Sequence, residues 1–430
     1  MPLRRRRPEP EALTTLADVT EDDADGDSSP PTAWYRRTSL WWATASTAIV
    51  ATIVTIPWNM DEFIMYHALS CREPSQRLND YWFTERCANY PIRLGPWVYQ
   101  RSYDYIGATS SLLLTPFRLV WSSIWLPFVL GAAFLIAIAF GLVRALAVPR
   151  HYAPLAVLWF PLLYAVIHDQ GPVRISLLVI VVTPLIVVRC LGARLLGCIG
   201  WGSIIVTLWV VAMEDKPYFG LLIPGAITFT LASLSARDRW PRDRSQWRRV
   251  AAVLGTATAA SAALLLVLRV GDSSYFSHIQ SAGPVLADLY QGSASRAWTT
   301  AVFMAVAMPY FAHRVMFSTA RSPYARGIVD NVTARLPHGG TFSGALALLI
   351  SLASIAAFVG LLVWAIRAVV RRSWFGGRRT GLLLGAAFAT WWLAPMVGGG
   401  WANHHFVYAQ LALVGLVLHG AHVTGARSAR

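Results

Sequence analysis

Long runs of hydrophobic residues follow one another along the chain, separated by short arginine-containing connections and by two long polar segments. An α-helix needs about 20 apolar residues to cross the hydrocarbon core of a bilayer, and ten of the runs approach or exceed that length. The pattern predicts an all-α polytopic membrane protein with about ten transmembrane helices. The predicted spans are 39–57, 124–146, 152–168, 175–188, 195–213, 217–235, 250–268, 343–366, 380–397 and 403–422.

One further apolar stretch, residues 297–317, is also long enough to span. Counting it would reverse the chain direction after it and would place the arginine cluster of residues 367–379 on the opposite side from the other arginine-rich connections. We therefore assign residues 297–317 to a re-entrant or interfacial helix.

The charge distribution gives the predicted bundle an orientation. Charged residues make up only 14% of the chain, against about 25% in soluble domains. The net charge of +15 would suggest nucleic acid for a soluble protein, but here arginines fill alternate short connections. The only basic residues in the short connections on the other side are Arg174 and Lys216. Positively charged loops stay in the cytoplasm, so both termini are predicted to be cytoplasmic, in a multi-pass protein of the cell membrane with no nucleic-acid partner.

The predicted domain organisation follows from these segments. Residues 1–38 combine basic, acidic and Ser-Pro sequences with few apolar residues, which is typical of a disordered cytoplasmic tail. Residues 39–423 form the transmembrane domain and residues 424–430 a C-terminal cytoplasmic tail. Two long extracytoplasmic segments, 58–123 and 270–342, interrupt the spans. Of 37 basic residues only Lys216 is a lysine, a bias typical of a GC-rich and therefore bacterial genome.

Two adjacent carboxylates, Asp61 and Glu62, follow the first predicted span directly. At the outer membrane surface, partial desolvation can raise a carboxyl pKa toward that of a general base. Asp and Glu also stabilise the first turn of a helix, so a helix cap is the alternative interpretation.

The position of this acidic pair, in a chain of about ten spans, resembles the GT-C superfamily of membrane glycosyltransferases. Asp61-Glu62 with Tyr66 one helical turn on is similar to the acidic motif of that family. Lys216-Pro217, at the start of a later span, and the polar segment at His404, at the start of the last one, also resemble family patterns. The resemblance implies juxtamembrane helices in the long outer loops and a sugar donor linked to polyprenyl phosphate.

The resemblance also implies roles for individual residues. Asp61 would be the catalytic base and Glu62 its positioning partner, a sugar ligand or a ligand of a divalent metal, on which related enzymes differ. Phosphate contacts would come from cationic residues, because guanidinium and ammonium groups match phosphate oxygens. The phosphate candidates are Lys216, Arg296, Arg314 and His404, with Arg321 and Arg326 as further arginines of the same segment; the sugar or acceptor candidates are Trp58, Tyr66 and His67. The acceptor would be a lipid, a protein or a polysaccharide of the cell envelope.

Cys71 and Cys87 lie in the first outer segment with fifteen residues between them. In an oxidising compartment they are predicted to form a disulfide, which would stabilise the loop by about 3 kcal/mol.

Two other functions remain open on the sequence. In a transporter or lipid-linked-sugar flippase, the outer charged residues would line a vestibule. In a non-catalytic assembly subunit, Asp61 would only cap a helix. Motifs for nucleotide binding, zinc-dependent hydrolysis and serine hydrolysis are absent from the sequence.

Overall fold

The computed structural model describes part of the chain, and every structural statement below refers to that part. The described residues are 38–55, 91–94, 97–100, 109, 126–168, 171–271, 356, 363, 378–397 and 407–428. Contacts divide the chain into residues 1–38 and 39–430, and all described residues except Thr38 belong to the second unit.

Helices dominate this part of the structure. Five of them are long and apolar enough to cross a membrane, which confirms an α-helical membrane protein; the predicted count of ten spans exceeds what the described residues include. The helices are α1 (Thr38–Thr55), α2 (Leu126–Ala145), α3 (Ala153–Val157), α4 (Phe160–His168), α5 (Gly171–Gly192), α6 (Leu195–Asp215), α7 (Phe219–Ala236), α8 (Arg244–Gly271), α9 (Arg378–Val397) and α10 (Val407–Ser428). The five are α2, α5, α6, α7 and α8.

A short β-hairpin is the one exception to the helical pattern. Strands β1 (Pro91–Leu94) and β2 (Trp97–Gln100) pair antiparallel, with Ile92 opposite Tyr99. Branched and aromatic residues favour such strands, and only two residues separate them. The hairpin lies in the first predicted outer segment, where we expected helices, and β1 packs against α8.

The third predicted span, residues 152–168, is two helices rather than one. After a 3₁₀ turn at Arg150–Tyr152, α3 ends at Val157 and α4 begins at Phe160. Pro161 explains the break, because a proline ring clashes with the carbonyl four residues earlier, here that of Val157. Backbone bonding continues through the break, since the Trp159 carbonyl accepts hydrogen bonds from the N–H groups of Leu162 and Leu163 at 2.9 Å each.

Three other helices extend beyond the spans that the hydrophobic runs predicted. The fourth predicted span, 175–188, is the 22-residue helix α5, which accommodates Pro184. Helix α8 has 28 residues and begins at Arg244, within the arginine-rich connection. Helix α10 continues to Ser428, into the segment predicted as a C-terminal tail.

The helices form a connected bundle. Helix α7 packs on α9 and α5, α9 packs on α10, and α6 packs between α5 and α8. Helix α2 contacts α4 and α5, and Trp42 of α1 stacks on Phe140 of α2 with ring centroids 5.5 Å apart. Short connections at 193–194, 216–218 and 237–243 make α5 to α8 alternate in direction. One end of the bundle therefore contains Lys216 and the other the arginine-rich connections; we call these the Lys216 end and the arginine-rich end.

Two cysteines lie side by side on neighbouring helices at the arginine-rich end. Cys190 of α5 and Cys198 of α6 have a Cα–Cα distance of 4.3 Å. The connection between the two helices is only two residues long, and it brings both buried sulfurs together. The predicted Cys71–Cys87 pair lies outside the described residues.

Three side-chain hydrogen bonds inside the bundle join helices or bond to backbone. The Trp209 indole donates to the Thr183 hydroxyl at 2.9 Å, and that hydroxyl donates to the Val179 carbonyl at 2.7 Å. The Trp391 indole of α9 donates to the Leu222 carbonyl of α7 at 3.0 Å. These bonds satisfy polar groups that cannot reach water.

Close contact between α7 and α9 depends on Gly225. The Trp391 indole lies directly over this glycine, so a methyl group there would overlap the ring. We expect Gly225→Ala to lower the free energy of unfolding by about 1–3 kcal/mol through overpacking. Gly200→Ala on the open face of α6, which meets nothing within 4 Å, is the matched control and should be neutral or slightly stabilising. Denaturant unfolding of both variants in detergent measures the difference; equal stabilities would contradict this packing.

Candidate functional site

Lys216 is the predicted site residue that the structure describes. The remaining predicted site residues lie outside the described part: Asp61, Glu62, Arg296, Arg314, His404, Trp58, Tyr66, His67, Cys71 and Cys87. The candidate site is therefore built here from the residues around Lys216.

The chain leaves helix α6 at Lys216 for a local reason. Pro217 disfavours helical backbone in the residue before it, and Lys216 is extended, with φ −148° and ψ 106°. The Lys216 N–H still donates to the Ala212 carbonyl at 3.0 Å, and its carbonyl accepts from the Phe219 N–H at 2.8 Å. Lys216 thus lies in a tight turn between the end of α6 and the start of α7.

Two charged residues of this turn are almost completely buried. Asp215 is 0% exposed and Lys216 is 1% exposed. An isolated buried charge is expensive, so these groups require an organised polar environment. An ammonium group at a helix C-terminus is also favoured by the negative end of the helix dipole. The protein encloses its only lysine rather than leaving it at the surface.

Glu214 links this turn to the first predicted outer segment. The Thr109 hydroxyl donates to a Glu214 carboxylate oxygen at 2.5 Å, a short, charge-assisted hydrogen bond. Thr109 and Glu214 are 105 residues apart in the chain. Thr109, a residue of the first predicted outer segment, therefore contacts the turn that contains Lys216.

Tyr218 and Tyr408 form the next layer of the candidate site. Both side chains are buried, and their rings stack with centroids 6.5 Å apart. A phenol is protonated at neutral pH, so Tyr218 can donate a hydrogen bond to an anionic or hydroxyl ligand.

Beside Tyr408, helix α10 presents a polar group toward the broken helix. The Gln410 amide oxygen accepts a hydrogen bond from the Trp159 indole at 2.9 Å. The bond joins the first turn of α10 to the break between α3 and α4. The Trp159 indole, which lies in this break, is thus bonded to α10, a helix from the C-terminal part of the chain.

Arg174 is a third buried charge near this end, and its role is structural. Its guanidinium donates to the carbonyls of Val166 and Ile167, at 2.7 and 2.8 Å. These carbonyls belong to the last turn of α4. Carbonyls in the last turn of a helix receive no hydrogen bond from within that helix. Asp169, the acidic residue of the same connection, lies outside the described residues.

Within the described ranges, no group of three or more His, Cys, Asp or Glu side chains lies close enough to hold a metal ion. The candidate site as described consists of one buried ammonium, two carboxylates and two phenols. Such a set can bind a phosphate or a polar hydroxylated ligand. Comparisons with known protein families, with curated proteins and with solved structures find no match to this chain.

Sequence reasoning overlooked Trp159, Gln410 and Thr109. A glutamine within an otherwise apolar run is a usable signal, because an amide there needs a partner inside the protein. Thr109 offers no comparable signal. Its role depends on a contact between distant segments that residue spacing cannot predict.

The role of Arg174 can be tested by stability. Arg174→Met should lower the free energy of unfolding by about 3 kcal/mol, because it leaves two buried carbonyls without their donors. Arg194→Met, which removes an exposed arginine from a short connection, is the control and should change stability little. Denaturant titration of purified protein compares them, and a loss in Arg194→Met as large as in Arg174→Met would argue against this structural role.

Proposed function

We propose that this protein is a GT-C-like glycosyltransferase that moves a sugar from a polyprenyl-phosphate carrier to an acceptor hydroxyl. One observation carries the proposal: the chain's only lysine is buried beside Asp215 and Tyr218, in a turn where Glu214 accepts a hydrogen bond from Thr109. Thr109 belongs to the same predicted outer segment as the Asp61-Glu62 pair. A cation and an acidic base are the two groups that such a transfer needs.

In the proposed reaction, Asp61 accepts the proton of the acceptor hydroxyl while the hydroxyl oxygen attacks the anomeric carbon. The bond from that carbon to the carrier phosphate breaks, and the configuration inverts. Negative charge collects on the phosphate leaving group, where the Lys216 ammonium would stabilise it. Arg296, Arg314 and His404 are further phosphate candidates, Trp58, Tyr66 and His67 are candidates for sugar or acceptor contacts, and Glu62 positions Asp61 or binds a divalent metal.

The orientation belongs to the same proposal. The arginine-rich end would face the cytoplasm, with both chain termini, and the Lys216 end would face outward. Donor and acceptor would then meet at the outer surface of a bacterial cell membrane, where lipids, proteins and envelope polysaccharides offer hydroxyl groups.

A transporter or lipid-linked-sugar flippase is the alternative. In that case the charged residues of the Lys216 end would line a vestibule for the ligand instead of a catalytic site. Covalent transfer separates the two functions, because a flippase moves its lipid without breaking the sugar–phosphate bond.

The test is transfer of labelled sugar in membranes that contain the full-length protein. Polyprenyl-phosphate donors bearing mannose, glucose, galactose or arabinose are supplied in turn, and label leaving the carrier is measured. We expect Asp61→Asn to lower the rate about 10²–10⁴-fold, as for loss of a general base. Lys216→Gln should lower it about 10²–10³-fold, as for loss of one transition-state contact.

Matched controls remove one carboxylate and one positive charge at the arginine-rich end. Asp243→Asn keeps a good helix cap at the start of α8, and Arg194→Gln removes one exposed positive charge. Both should retain wild-type activity. Full activity in correctly inserted Asp61→Asn would falsify the base assignment, and carrier movement without label transfer would identify a flippase.

A further inference from the structure

Four arginines from three helices converge at the arginine-rich end. Arg144 lies in the last turn of α2, Arg189 in the last turn of α5, and Arg237 and Arg239 directly follow α7. The Arg237 guanidinium donates a hydrogen bond to the Arg144 carbonyl, which fixes the end of α7 beside the end of α2. Helix α5 packs against both α2 and α7 and brings Arg189 to the same place.

The four like charges act on one another. Burial, and next the charges of Arg144, Arg239 and Arg189, lower the pKa of the Arg237 guanidinium. Arg144, Arg189 and Arg239 are exposed, whereas Arg237 is partly buried. An arginine keeps its charge at neutral pH, so the cluster repels itself until an anion neutralises it.

Two acidic residues follow α7 in the described part of the chain. Asp238 is exposed and adopts a left-handed backbone conformation with φ 52°. The Asp243 carboxylate accepts hydrogen bonds from the Ser245 hydroxyl at 2.6 Å and the Gln246 N–H at 2.8 Å, which cap α8.

Aromatic residues place the cluster at the level of lipid headgroups. Trp240 follows Arg239 by one residue and packs edge-on against Trp247, with centroids 5.3 Å apart. The Arg379 guanidinium lies 4.5 Å from the centre of the Trp240 ring. Tryptophan is enriched at the membrane–water interface, so these two side chains mark that interface beside the cluster.

We propose that Arg144, Arg189, Arg237 and Arg239 form a binding site for the phosphate of an anionic phospholipid. Guanidinium groups bind phosphate oxygens through paired hydrogen bonds, and basic pockets between transmembrane helices suit lipid headgroups. The lipid is favoured over free phosphate because the helix ends and the paired tryptophans place the site where lipid phosphates already are. The site is independent of the proposed sugar transfer and lies at the opposite end of the bundle.

Lipid binding to the full-length protein tests the proposal. The protein is purified in a neutral detergent, and bound phosphatidylglycerol and phosphatidylcholine are counted on the folded protein by native mass spectrometry. Wild type should prefer phosphatidylglycerol. The double variant Arg189→Gln/Arg239→Gln should bind it about 25-fold more weakly, since each arginine near an anionic surface contributes about five-fold.

A second double variant removes the same charge from the same end. Arg150→Gln/Arg194→Gln changes two exposed arginines that are not part of the cluster, and it should keep most of the preference. Arg189→Lys/Arg239→Lys retains both charges and should recover most of the lost affinity. Equal losses in the two glutamine double variants would show a general charge effect and would overturn the site.

Glycerol 3-phosphate distinguishes a lipid from a soluble phosphate. Added at the concentration at which phosphatidylglycerol raises the melting temperature, it should leave the melting temperature of wild type unchanged. An equal rise with glycerol 3-phosphate, abolished in Arg189→Gln/Arg239→Gln, would assign the site to a soluble phosphate and would overturn the lipid assignment.

Discussion

Inside a bilayer, backbone N–H and C=O groups have no water to bond, and the rest of this structure depends on how the protein supplies partners instead. Continuous helices satisfy most of these groups. At the break before α4 the backbone bonds to itself through the Trp159 carbonyl. At the end of α4, where helical bonding ends, the Arg174 guanidinium supplies donors to two carbonyls. An arginine that the sequence analysis placed in a short outer connection is thereby part of the fold.

The same constraint separates the two ends of the bundle. Charges at the Lys216 end are enclosed: Arg174, Asp215 and Lys216 are each at most 2% exposed. At the arginine-rich end the guanidinium groups of Arg144, Arg189 and Arg239 are exposed. Exposed arginines can bond to water or to lipid phosphate. An enclosed charge requires hydrogen-bond partners or opposite charges from the protein itself. For this reason we place the proposed sugar transfer at the Lys216 end and the proposed lipid contacts at the arginine-rich end.

Helix α10 connects these features. Its first turn places Tyr408 against Tyr218 and Gln410 against Trp159, so the turn beside Lys216 and the broken helix share one neighbour. The Gln410 amide has a defined orientation, because its oxygen accepts the hydrogen bond of the Trp159 indole. A defined arrangement around Lys216 would suit a ligand that must be held in one orientation, as a phosphate-linked sugar would be in a transfer reaction.

The sequence alone determined the membrane class, the alternation of apolar helices with arginine-rich connections, and the positions of α2, α6, α7 and α9 to within a few residues, because hydrophobic run length and charge are local properties. It also singled out Lys216. Only the tertiary structure decided that Arg174 caps α4 and that Thr109 reaches Glu214. Those outcomes depend on which helices become neighbours, and hydrophobicity along one chain segment contains no information about the segment that will pack against it.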